Sequence, residues 1–253
     1  MSRLRELGLD LMELEFVRAT FPGEVTARGI AEAAREDGIR LTAHGPYYIN
    51  LNAQEPKKLN NSRDWVLTTA VIGNLCGAES ITFHPGFFHG QDAHKVFLQI
   101  RKELEAIVAK LNEQHIEIDV RPEVTGKPSA FGSLEELVAL AEAVEGISPC
   151  IDWSHLHART GKSNTPGEFQ DVLDVIRSRL GEEALHRVHF HVSGIMYGPK
   201  GERKHLNLDE SDFNYKELLK VLKDNGVCGF VTCESPSIED DARILKDYYE
   251  KIS

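Results

Sequence analysis

The chain has no apolar run approaching the roughly 20 residues that a membrane helix needs, so no membrane partner is expected. Its N-terminus, MSRLRELGLD, lacks the apolar stretch of a secretory signal. No CxxC pair occurs: Cys76, Cys150, Cys228 and Cys233 lie far apart, mostly in apolar segments, and read as buried free thiols of a reducing cytoplasm. No GxGxxG or P-loop follows a first strand, which argues against a nucleotide-binding open sheet. No serine or cysteine sits in a recognisable nucleophile motif or triad. Positive charge is scarce as well, with 29 Lys and Arg against 40 Asp and Glu and a formal net charge of −11. That balance argues against a general nucleic-acid coating protein, though not against a nucleic-acid enzyme whose local basic residues or bound cations make one face positive.

What the chain does have is a rhythm. With 253 residues, 41% of them hydrophobic, it can bury a sizeable core, and it shows no linker or low-complexity tract. Short apolar runs read as strands at 11–16, 40–44, 80–84, 116–123, 148–152, 187–192 and 229–234. Amphipathic segments lie between them. In residues 92–114, Phe97, Ile100, Leu104, Ile107 and Leu111 recur at three- and four-residue steps and mark one apolar face. SLEELVALAEAVEG opens with Ser133 and Glu136 in capping-box spacing and closes on Gly146, and NYKELLKVLKDNG stops at Gly226. Strand starts fall about 30 to 40 residues apart, the length of a βα unit. The expectation is an α/β fold, a (β/α)₈ TIM barrel forming a single domain over residues 1–253. Seven strands are found where a full barrel has eight, and the chain starts in a helical segment, SRLRELG. The expectation therefore includes a barrel whose first strand is absent from this chain.

Chemistry collects at the strand ends, where barrels build their sites. The strand at 40–44 ends in His44, followed by GPYYIN; the next ends in His84, followed by Pro85 and Gly86. Then come Glu123, Asp152 with His155 just beyond, His189 and His191 on one strand face, and Glu234. A lone strand-end histidine is more often a hydrogen-bonded structural residue, and a lone carboxylate more often a helix cap. Six consecutive strands ending this way point instead to convergence. The mixed nitrogen and oxygen donors suit Zn²⁺, with Mn²⁺ and Fe²⁺ as rivals, and exceed what one tetrahedral ion can use. A cluster of two or three ions sharing a bridging carboxylate would activate water and clamp the oxygens of a phosphoester.

The stretches AHGPYYINL, FHPG, PEVTG, CIDWSHLHARTG, HFHVSG and CESP, in this order, resemble the endonuclease IV family of apurinic/apyrimidinic endonucleases, within the xylose-isomerase-like TIM barrels. The resemblance runs over nearly the whole chain from about residue 40. It implies a cytoplasmic, zinc-dependent hydrolase of DNA repair that acts, as a monomer, on double-stranded DNA and cuts the backbone 5′ to abasic sites. It further implies that His44, His84 and Glu123 hold a first ion and that Glu123 bridges to a second, shared with Asp152, His191 and Glu234. His155 and His205 would serve a third, and Glu123 would help position the attacking hydroxide. Tyr47 and Tyr48 match the loop that enters the minor groove at the lesion, an alternative to plain packing over the barrel mouth. Arg18 would touch a phosphate. His157 and His189 match no ligand and read as supporting or structural residues.

One departure stands out. The family has an aspartate two residues before the position of His205, where this chain has Arg203, with Glu202 one step further back; DES replaces the glycines that usually follow. The third site is then ligated by Glu202, weak, or missing, and an arginine there could set a fixed positive charge where an ion would sit. The competing reading is a sugar isomerase or epimerase on the same barrel, using one divalent ion and paired carboxylates. A third is a protein that binds abasic DNA but turns over slowly.

Overall fold

The computed structural model of the protein describes residues 1–252, which group into two compact units. The first comprises residues 1–6, 10–123 and 129–149. Its frame is a four-stranded parallel sheet, Leu11–Glu15, Arg40–His44, Ala78–Phe83 and Asp119–Pro122, ordered as in the chain. The last four residues of Arg40–His44 and of Ala78–Phe83 are buried, as befits parallel strands covered on both faces. Helices Glu24–Asp37, Pro56–Cys76 and Ala93–Glu113 make the connections. Helix Ala93–Glu113 buries Val96, Ile100, Leu104, Ile107 and Leu111, while Phe97, expected on this face, is only half-buried. Val96 takes its place because i, i+4 and i+8 keep the tighter stripe. Helix Leu134–Ala143 opens with the expected capping box, in which Ser133 accepts from the Glu136 N–H.

The second unit comprises residues 7–9, 124–128 and those from Cys150 onward. Three parallel strands, Cys150–Asp152, Val188–Val192 and Gly229–Cys233, form its sheet with Val188–Val192 in the centre. Trp153, Phe169 and Phe190 meet edge to face over it, with the Trp153 ring centroid 5.6 and 5.3 Å from the other two. A hairpin of Gly194–Gly198 and Gly201–Leu206 and a short helix, Trp153–Thr160, stand beside the strand ends.

The strands expected from the apolar runs are all present, with ends shifted by up to three residues. Among the described residues no helix is long and apolar enough to cross a membrane. One expectation about the thiols fails: Cys76 and Cys150 are buried, but Cys233 is half-buried and Cys228 exposed. Cys228 lies in the turn leading into the last strand, where the backbone is paired and the side chain still meets solvent.

Candidate metal centre

In the first unit the parallel register brings the strand ends together on one edge. Glu15 pairs with His44, and His44 with Thr82, so that His84 and Glu123, each just past its strand, lie beside His44. His44 Nε2 is 3.0 Å and His84 Nε2 3.4 Å from the same oxygen, Oε2 of Glu123. His44 Nδ1 lies 2.7 Å from the Gly45 carbonyl, which fixes that nitrogen as the donor and leaves Nε2 to face the carboxylate. Burial alone would lower the His44 pKa, but the hydrogen bond to Glu123 and the charges of Glu123, Glu15 and Glu13 raise it to about 10. Glu13 and Glu15, overlooked in the sequence, thus add to the negative field around His44; the alternating ELE in LMELEF is their signal.

The turn after His84 is built to fit its neighbour. Gly86 has φ +146°, and a Cβ there would come within 2.5 Å of Asn50 Oδ1. The Leu51 N–H donates to the Pro85 carbonyl, so HPG and YYINL lock together and hold His84 in place. Tyr47 and Tyr48 on that loop are 63% and 61% exposed, the Tyr47 ring 6.2 Å from that of His44 and the Tyr48 ring 5.8 Å from that of Trp65. The Tyr47 N–H donates to the Val17 carbonyl, tying this loop to the turn that carries the exposed Arg18.

In the second unit Asp152 pairs in register with His191, and one ligand atom each of Asp152, His191 and Glu234 lie within 4.8 Å of one another. His191 Nδ1 is 3.3 Å from Glu234 Oε1, and His191 Nε2 is 3.3 Å from the buried His189. Asp152 also caps helix Trp153–Thr160, its Oδ1 accepting from the His155 N–H at 2.7 Å. The capping role and a place among the candidate ligands thus coexist in one carboxylate. Ser154 Oγ donates to the Ser193 carbonyl and accepts from the Ser193 N–H, fastening this helix to the end of the His191 strand.

His155 and His205 face each other with their Nε2 atoms 3.0 Å apart. The Nδ1 of each lies against a backbone carbonyl, Val124 at 3.0 Å for His155 and Glu234 at 3.1 Å for His205. Donation from both Nδ1 atoms turns two Nε2 lone pairs toward each other, which needs a cation or a shared proton between them. These carbonyls leave no mark in a side-chain motif. The donor sets in both units fit divalent ions: imidazoles, three of them oriented by backbone carbonyls, beside buried carboxylates.

Arg203 is exposed, and its guanidinium lies over Gly198, 2.9 Å from where a Cβ on that glycine would be. His157 is buried with Nδ1 on the Lys162 carbonyl and Nε2 3.4 Å from Asp212, packed on Tyr197. His157 therefore braces the helix and the hairpin.

A family model described as xylose isomerase-like TIM barrel matches residues 1–251. An uncharacterized protein of Methanocaldococcus jannaschii is 40% identical over 250 residues, covering 98% of this chain and 90% of that protein. A probable endonuclease 4 of Mycoplasma genitalium is 26% identical over 189 residues, 72% of this chain but only 62% of that protein's length. Among solved structures, endonuclease IV from Thermus thermophilus superposes with a TM-score of 0.73 at 18% identity, covering 99% of this chain and 93% of that one. D-psicose 3-epimerase with D-tagatose, from Clostridium cellulolyticum, superposes with a TM-score of 0.69 at 14% identity, covering 98% and 91%. At these identities the two structures share a fold with this chain, and the fold hosts more than one chemistry.

Proposed function

The chain belongs to the family of xylose isomerase-like TIM barrels, and on that premise we propose that it is a metal-dependent phosphodiesterase that cuts DNA on the 5′ side of abasic sites. The observation that carries this reading is the number of ligand sets. His44, His84 and Glu123 converge in one unit, and Asp152, His191, Glu234, His155 and His205 supply two further sets in the other. More than one ligand set suits a phosphoester hydrolase, in which two or more ions clamp the attacking and leaving oxygens, better than the single-ion isomerase or epimerase that is the competing reading. The sequence similarity to a probable endonuclease 4 supports the same choice.

In this reading Zn²⁺ is the resident ion, with Mn²⁺ as a substitute. Ions bound at these ligands would lower the pKa of water and stabilise charge on the phosphoryl oxygens. Glu123, fully buried, positions the attacking water and takes its proton as the water oxygen bonds to phosphorus; the P–O bond to the 3′ oxygen of the preceding nucleotide breaks, and that oxygen takes up a proton from solvent to leave as a 3′-hydroxyl. Tyr47 and Tyr48 wedge into the base stack at the lesion, and Arg18 holds a backbone phosphate. Buried carbonyl contacts at His44, His155 and His205 keep the imidazoles from rotating.

The test is Glu123→Gln, close in shape but without charge or basicity. Incision of an abasic duplex should slow by about 10²–10⁴-fold while the circular dichroism spectrum stays that of the wild type. Wild-type incision by this variant would overturn the role given to Glu123.

A further inference from the structure

Resting on the reading above, we infer that the ion held by His155 and His205 takes its carboxylate from Glu202, which a β-bulge at Arg203 turns into the position that a regular hairpin gives to residue 203.

In a regular strand residues two apart share a face, so a ligand partner of His205 belongs at 203. This hairpin is not regular. Glu202 pairs with Tyr197, Lys204 with Met196 and His205 with Ile195, leaving Arg203 as the extra residue. Tyr197 and Ile195 are two apart on their strand and face one side; Glu202 and His205, directly opposite them, face that side too. Exposure follows the same pattern, with Glu202 and His205 half-buried and Arg203 and Lys204 exposed. The arginine is thus compatible with a metal site because it is not in it.

Glu202 is also fixed in place. Its N–H donates to the Gly126 carbonyl at 2.9 Å, and its side chain lies so close over Gly126 that a Cβ there would come within 2.5 Å of Glu202 Cβ. The carboxylate thereby reaches His155, with Oε2 3.6 Å from Nε2. Its side chain is 19% exposed. Asp152 is the other carboxylate near His155, but it approaches from the wrong side. Asp152 Oδ2 is 3.2 Å from Nδ1, the nitrogen that already faces the Val124 carbonyl. An ion between His155 and His205 uses their facing Nε2 atoms; Asp152 also has a ligand atom within 4.8 Å of both histidines, but its Oδ1 is held by the His155 N–H, whereas Glu202 Oε2 approaches Nε2 itself.

The experiment counts ions. Wild type, Glu202→Gln, Glu202→Asp and Arg203→Ala would be saturated with Zn²⁺, desalted and analysed for zinc per chain, with a chromophoric chelator reporting the affinity of each ion. Thermal melts would confirm that each variant is folded. The wild type and Arg203→Ala should hold three ions. Glu202→Gln should lose one or bind it at least tenfold more weakly, and Glu202→Asp should weaken the same one. A wild type with three ions and a Glu202→Gln that keeps all three at unchanged affinity would overturn the inference and leave the wider reading standing. So would loss of an ion in Arg203→Ala, or a wild type and Glu202→Gln that both hold two. A wild type that binds a single ion would instead defeat the phosphodiesterase reading, and this inference with it.

Discussion

His44 Nε2 lies 3.0 Å from Glu123 Oε2, with both side chains buried and the imidazole pKa raised to about 10. Such a pair holds a proton where a divalent ion would otherwise sit, and a ligand imidazole must give that proton up. Zinc uptake at pH 7 should therefore release about one proton from His44, measured by calorimetry in buffers of different ionisation enthalpy. The release should fade as pH rises through about 10. Stability of the chelated protein should follow the same pair. A histidine with a raised pKa contributes fully below its unfolded value of about 6.5. That contribution is lost as pH rises through about 10, so the denaturation midpoint should fall across this interval. Proton-free zinc binding at pH 7 would contradict the pairing.

Asp152 both caps a helix and sits among candidate ligands, and substitutions can separate the two roles. Asp152→Asn keeps an oxygen that can accept from the His155 N–H, so its helix should hold. Asp152→Ala removes the acceptor and should cost about 1 kcal/mol of stability. Both should weaken zinc binding, since neither offers a carboxylate. Urea melts of the chelated proteins, read beside zinc titrations, check this; equal zinc affinity in wild type and Asp152→Asn would remove Asp152 from the ligands.

Tyr47 and Tyr48 present large aromatic surface to solvent, although Tyr48 also leans on Trp65 at 5.8 Å. Truncating either to alanine should change folding stability by about 0.5 kcal/mol or less. Loss of one base-stacking contact, worth about 1–3 kcal/mol, should raise KM for an abasic duplex about tenfold. A large drop in melting temperature with unchanged KM would make these tyrosines packing residues.

The thiols should react in order of access. Cys228 is exposed, whereas Cys76 and Cys150 are buried, and burial pushes the Cys233 thiol up to about 11. With a thiol-specific chromogenic reagent near neutral pH, one group should react fast in the native protein and the other three only on unfolding. Rapid reaction of two or more would contradict the packing around Cys233.

Much of the frame is legible in the residues. Apolar runs mark the parallel strands because strands covered on both faces need them, and Ser133 with Glu136 marks a helix start because the pair satisfies two end N–H groups. The candidate ligands are visible because polar groups ending apolar strands are out of place in a core. Less visible is helix Trp153–Thr160, whose WSHLHART is too short for a clear period. The hairpin at Gly194–Leu206 has a turn signal in GPKG, but its bulge depends on pairing across the hairpin and not on any local preference. That is why Arg203 reads in the sequence as an intrusion into the site while Glu202 faces it. Gly126 explains itself only once Glu202 is seen lying over it.

The central claim is tested most directly with a duplex oligonucleotide carrying one abasic site and a label at one end, beside an intact duplex of the same sequence. Protein loaded with Zn²⁺, protein loaded with Mn²⁺ and chelated protein would each be incubated with both. The account predicts a single cut on the 5′ side of the lesion, no cut in the intact duplex, and loss of cutting on chelation that Zn²⁺ restores. Folded, zinc-loaded protein that leaves the abasic strand whole would contradict it and turn the assignment toward sugar chemistry on the same barrel.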